Sequence, residues 1–174
     1  MLDPIIESEM SFRADNTFHI EQSQTYRRMS GIKSVEFVRR KDSSLLFVEA
    51  KISFPNLETD DKTKIQRYEA EIRAVKDKFI HSLNLFASIA LGVNDDDITA
   101  TGNKGSKKTD VTFVFVIRNH RTKWCRPIRD MLIDEFPPYL LKIWKPVVLV
   151  INHEAAVKKE IAMSTSTPIC MMLR

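Results

Sequence analysis

Cysteine is scarce in this sequence: Cys125 and Cys170 are the only two in 174 residues. Lacking any paired spacing, they support neither a disulfide framework nor a Cys-rich zinc site, and neither has the context of a reactive thiol. Four glycines exclude a collagen-like repeat. No uninterrupted apolar run is longer than five residues, as at Val147–Ile151, against the roughly 20 that a membrane helix needs. Asp3, Glu7 and Glu9 stand where a signal peptide has basic and then apolar residues. Together these absences predict a cytoplasmic, reducing setting and no membrane partner. Nor does one sign of charge dominate. Lys and Arg number 27 against 23 Asp and Glu, a net +4 that is too small by itself to indicate nucleic-acid binding. What is present is an ordinary globular composition, 43% hydrophobic and 29% charged. It can bury one core without a disulfide or structural metal, so the expectation is a single domain over 1–174.

Residues 1–16 read as a helical or loose lead-in, and 164–174 as a loose tail. Thr17–Ser23 alternates weakly as a short strand, and Gln24–Ser30 adds a helical turn that Gly31 ends. Ser34–Arg40 (SVEFVRR) and Leu45–Ser53 (LLFVEAKIS) are strands joined by the turn residues Lys41 to Ser44. Pro55 and Asn56 break the second. Asp60 and Asp61 then offer N-caps for a long helix to about Leu91, stopped by Gly92. Ile65, Tyr68, Ile72, Val75, Phe79, Leu83, Phe86 and Ile89 recur at three- and four-residue steps and predict the face packed on the core. A strand at Val111–Ile117, a helix at about Arg126–Phe136 with Pro127 in its first turn, a strand at Val147–Ile151 and a helix over Glu154–Ile161 complete the order. Meander first, helix-separated strands later: this predicts an α/β fold whose mixed sheet is covered by helices on both faces.

The hairpin carries the chemistry. Residues two apart on a strand share a face, so Glu49 and Lys51 project together. A turn symmetric about Asp42 and Ser43 sets Arg40 against Leu45, Val38 against Phe47 and Glu36 against Glu49. Opposed carboxylates destabilise a sheet unless a proton or a cation is shared between them. Mg²⁺ is bound through one or two carboxylates and retains waters, and a neighbouring lysine stabilises developing charge. The pattern therefore suits metal-assisted phosphodiester hydrolysis. A solvated Glu-X-Lys surface pair is the other reading of the same tripeptide.

The stretch Val35–Lys51, VEFVRRKDSSLLFVEAK, resembles the core of the PD-(D/E)xK nuclease superfamily. The match covers about 17 residues, and its first acid is Glu in VEF without a Pro-Asp dipeptide. The resemblance implies a restriction-endonuclease-like fold and Mg²⁺- or Mn²⁺-dependent cleavage of DNA or RNA. Glu36 and Glu49 would bind the metal, Lys51 would serve catalysis, and Glu21 would be the further upstream acid. The superfamily also contains inactive binding members, so a non-catalytic module for nucleic acid or a protein partner is the alternative.

Between Gly102 and Arg129 stand eight basic residues and a single acid, Asp110. Lys104, Lys107, Lys108, Arg118, Arg121 and Lys123 are the candidate phosphate contacts, with a solvated loop as the other reading. Trp124 has a ring to stack on a base or to fill part of the core. TGNKGSKKT is not a P-loop: Gly-Lys-Ser/Thr is missing at the required spacing, and a strand follows where a helix should start. His19, His81, His120 and His153 have no metal-ligand spacing, although His19 shares the strand face of Glu21. A homodimer or a protein partner is left open.

Overall fold

The computed structural model describes residues 2–56, 61–102 and 108–164. Its centre is a five-stranded sheet in the order β3 (Thr17–Phe18), β4 (Phe37–Lys41), β5 (Ser44–Lys51), β6 (Asp110–Ile117) and β7 (Val147–Asn152). The first three strands pair antiparallel, and β5–β6 and β6–β7 pair parallel. An α/β fold with a mixed sheet is thus present.

The β4–β5 hairpin has the anticipated register, with Arg40 opposite Leu45 and Val38 opposite Phe47. Lys41 pairs with Ser44, leaving a two-residue turn in which Asp42 takes φ +53°. Aspartate tolerates that left-handed conformation better than most side chains.

Alternation along β5 divides its side chains between two cores. Leu45 and Phe47 face the long helix α2 (Lys62–Ala90) and α3 (Thr122–Glu135), whereas Leu46, Val48 and Ala50 face the opposite side. On the helical side Phe79 stacks on Phe113 at 4.8 Å between ring centroids. The anticipated stripe of α2 is buried from Tyr68 to Ile89, and only Ile65 is half-exposed. Asp61 caps this helix by accepting from the Thr63 and Lys64 amides, and Gly92 follows its C-terminus at φ +71°.

Several elements differ from expectation. The lead-in is neither helical nor loose. Residues 5–12 form a hairpin of β1 (Ile5–Glu7) and β2 (Met10–Phe12), which buries Met10 and Phe12 on the second face of the sheet. Among the described residues α5 (His153–Lys158) is the one helix on that face, so the hairpin does the work expected of a helix. β3 ends after Phe18, and Ile20–Gln22 form a 3-10 turn before the short α1 (Gln24–Arg28). α3 begins at Thr122, so Pro127 sits inside it and removes one backbone hydrogen bond near its N-terminus. Pro138 opens a further helix, α4 (Pro138–Ile143). The expected tail lies, from residue 165 on, outside the described residues, as does Asp60. Among the described residues no helix is long and apolar enough to cross a membrane.

Candidate active site

The helical-side face of β5 changes character toward its C-terminal end, where Phe47 gives way to Glu49 and Lys51. Glu36 stands one residue before β4. Its amide donates to the Val48 carbonyl at 3.0 Å, but Val48 is the partner of Phe37, so the strand bulges there and Glu36 is one residue out of the expected register with Glu49. The two carboxylates still come together about the Lys78 ammonium, at the sheet end that carries Lys51. Glu49 is only 1% exposed.

Two residues of α2 complete the arrangement. The Lys78 ammonium donates to both oxygens of Glu49, at 2.8 and 2.9 Å, and lies 4.0 Å from Glu36 Oε1. Lys51 forms an ion pair with Glu71 at 2.5 Å and lies 5.6 Å from the centroid of the Phe54 ring. Farther along α2, Ser82 Oγ accepts from the Val35 amide at 2.9 Å, anchoring the segment that leads into Glu36. Glu71, Lys78 and Ser82 follow one another at steps of seven and four residues. They form a polar flank beside the apolar stripe and run along the hairpin.

A second carboxylate layer comes from the N-terminal segment. Glu21 sits on the 3-10 turn rather than on a strand, and its charge acts on Glu36 and Glu49. Glu7, at the end of β1, is electrostatically coupled to the same cluster: burial, and then the charge of Glu21, raise its pKa. Ser8 Oγ, in the turn of this hairpin, donates to the Ala50 carbonyl at 2.9 Å and fixes it against β5. Burial, and then the charges of Glu49 and Glu21, push the Glu36 pKa up to about 8. Burial likewise raises Glu49 to about 7 against the opposing pull of Lys78. Burial also works against the Lys78 charge, but Glu49 and Glu36 more than compensate and hold its pKa above the usual lysine value.

The donor chemistry fits a hard divalent cation. Glu36 and Glu49 offer only carboxylate oxygens and already gather about one positive centre, the Lys78 ammonium. Among the described residues no group of three or more His, Cys, Asp or Glu is arranged as a closed metal cage. A two-carboxylate set is nonetheless what Mg²⁺ uses when waters and substrate phosphates supply its remaining ligands.

No protein-family model, curated protein or solved structure matches this chain.

The basic block is split by the fold. Lys108 lies at the hairpin-turn end of the sheet, where it pairs with Asp110, and Asp110 receives the register of Ser44. Lys104 and Lys107 fall outside the described residues. Arg118 follows Ile117, the partner of Lys51, and its amide donates to the Lys51 carbonyl at 2.9 Å. The eight-residue β6 spans roughly 23 Å at about 3.3 Å per residue, with Lys108 before one end and Arg118 just after the other. Arg118, Arg121 and Lys123 are therefore at the carboxylate end and Lys108 is not. The Arg118 guanidinium is clasped by Glu9 of the β1–β2 turn. Arg121 and Lys123 flank the Trp124 ring at 5.0 and 5.4 Å.

Glu7, Glu71 and Lys78 escaped the sequence reading. The polar flank of α2 is the one signal that could have found two of them: Glu71 and Lys78 are seven residues apart, two turns along one side of a buried stripe. Glu7 reaches the site through a three-residue strand, too short for alternation to register.

Proposed function

We propose that this protein is a metal-dependent nuclease, with Glu36 and Glu49 as metal ligands and Lys51 as the catalytic lysine. The observation that carries this reading is the burial of Glu49 close to Glu36, both about the Lys78 ammonium, at the strand end that also projects Lys51. Like charges placed together in a desolvated site are costly, and a cation or a shared proton is what relieves them. Mg²⁺ or Mn²⁺ bound to these carboxylates would supply Lewis-acid polarisation of a phosphodiester and lower the pKa of an attacking water.

The remaining roles belong to the chain. Lys78 holds Glu49 in one rotamer, and Glu71 steers the Lys51 ammonium along the same face. Lys51 is the donor for a non-bridging oxygen of the scissile phosphate, where negative charge develops. Glu21 and Glu7 add negative potential that strengthens cation binding. Arg121 and Lys123, at the same sheet end, are the contacts for flanking phosphates.

A second reading rests on Lys78. Its ammonium already neutralises Glu49, so the fold is electrostatically complete as a binding module for nucleic acid. The two readings separate by titration calorimetry with Mn²⁺. The nuclease reading predicts saturable binding with proton release near pH 7, lost in Glu49→Gln and weakened in Glu36→Gln. Equal heats for wild type and both variants would leave only the binding module.

A further inference from the structure

A groove of about 590 Å³ opens at the hairpin-turn end of the sheet, between the C-terminal ends of α2 and α4, with Arg40, Ala87, Leu91, Ile98, Ile143 and Trp144 among its walls. It is separate from the carboxylates. Leu45, another wall residue, precedes Glu49 on β5 by four positions, about 13 Å along the strand. That volume lies within the range of small-molecule sites.

The walls are unusual for a protein surface. Leu91, Ile143 and Trp144 are 80%, 70% and 39% exposed, three large apolar side chains from the ends of two helices that border one opening. Behind them Leu45, Phe86 and Val111 of the core are nearly but not wholly enclosed. Single apolar side chains on a surface need no explanation, but a cluster that continues into the core marks a place for an apolar ligand.

Arg40 adds a charge to this groove. Its Nε donates to the carbonyl of Thr101, also a wall residue, at 2.6 Å, which holds the guanidinium at the wall. Nη1 is enclosed without an acceptor, and among the described residues no carboxylate pairs with this guanidinium. Its neighbour Arg39, on the other face of the sheet, has Asp15 as a counter-ion. Half-buried beside apolar side chains, the Arg40 charge is uncompensated, and an anion brought to it gains more than it would in open water.

We propose that this groove binds a small amphiphile with one carboxylate. Its apolar chain lies between Leu91 and the Ile143–Trp144 pair, and its carboxylate stands beside the Arg40 guanidinium. One cation matches one negative charge, and the planar guanidinium suits a carboxylate. Burial of the methylenes supplies the affinity, and Arg40 supplies the selectivity for the head group.

The full chain, without metal, is titrated by calorimetry with decanoate below its micelle concentration. Decyltrimethylammonium, which has the same chain and a cationic head, is titrated beside it. Saturable binding of decanoate, at least about tenfold tighter than that of the cation, is expected, with a change in Trp144 fluorescence in a Trp124→Phe background. Arg40→Gln should bring the two affinities within about threefold of each other. Ile143→Glu, at an exposed position, should weaken decanoate about tenfold or more with the circular dichroism unchanged. Equal affinity for the two head groups in the wild type would overturn the proposal, and so would decanoate binding unchanged in both variants. Failure of decanoate to bind saturably would also overturn it and leave the groove to a protein partner. None of these outcomes bears on the carboxylates at the other end of β5, whose role is tested by metal binding and cleavage.

Discussion

The Lys78 ammonium donates to both carboxylate oxygens of Glu49, joining the middle of α2 to the buried end of β5. Glu49 is enclosed while Lys78 is a quarter exposed, so the carboxylate depends on the lysine for its charge. Removing one partner of such a pair leaves the other desolvated and uncompensated. Lys78→Met is therefore expected to destabilise the protein by about 3 kcal/mol at pH 8. The loss should shrink at pH 6, where Glu49 can neutralise itself by taking a proton. Urea unfolding at the two pH values checks this. A loss of equal size at both would show that Lys78 acts through packing alone.

Wild-type stability should fall as pH rises from about 6.5 to 8. Glu36 and Glu49 have folded pKa values near 8 and 7, above the ordinary carboxylate value of 4.5. Across this window the folded state keeps protons that the unfolded chain has already released, so each proton lowers stability by at most about 1.4 kcal/mol per pH unit. Their contribution is complete below pH 4.5 and is lost as pH climbs through the folded values. Glu7, also raised, acts in the same direction. His120, shifted downward by burial, has the opposite slope but only below its ordinary 6.5. The lowered Asp77 and Asp96 titrate below 3.8, outside this window. Glu36→Gln should flatten the decline in a pH series of unfolding curves, and an unchanged slope would mean that Glu36 is ionised throughout.

Metal should reverse that decline. A divalent cation requires Glu36 and Glu49 ionised, so binding releases protons and stabilises the folded state by mass action. Mn²⁺ at a fixed saturating concentration is expected to raise the melting temperature of the wild type. Glu49→Gln should show no such rise. A thermal shift identical in the two proteins would place the metal elsewhere.

Lys51 and Glu71 should separate kinetically. Lys51→Ala removes the donor to the phosphate and is expected to lower cleavage about 100-fold or more, the usual scale for one charge-stabilising donor. Glu71→Gln leaves the ammonium in place and loosens only its direction, so a loss of roughly 3- to 10-fold is expected. That loss should appear in kcat with KM little changed. Equal losses in the two variants would make Glu71 more than a positioning residue.

The hairpin was legible because every local signal agreed. Alternating β-branched and aromatic residues marked both strands, and the polar Lys41–Ser44 segment fixed a symmetric turn. Pairing Arg40 with Leu45 then carried the register back as far as Phe37 and Val48, whereas the bulge that leaves Glu36 on Val48 has no mark in the sequence. The long helix was equally legible from its stripe and from Asp61. What escaped depends on tertiary contacts. Residues 5–12 form strands of three residues whose pairing is rewarded only by burying Met10 and Phe12 on the sheet, so Glu7 has no local mark. Glu71 and Lys78 look like ordinary helix-surface charges until the helix lies along β5. The basic run from Lys104 to Arg129 reads as one patch in the sequence, yet β6 passes through its middle and puts Lys108 and Arg118 at opposite ends of the sheet.

Hydrolysis of phosphodiesters with a divalent metal is the role proposed for Glu36, Glu49 and Lys51. The most direct measurement is cleavage of single-stranded DNA, plasmid and RNA by the full chain with Mg²⁺ or Mn²⁺, beside Glu49→Gln and Lys51→Ala purified identically. The account predicts metal-dependent cleavage of at least one substrate by the wild type, abolished by EDTA and reduced at least about 100-fold in both variants. No cleavage by the wild type, or equal cleavage by all three proteins, would contradict it.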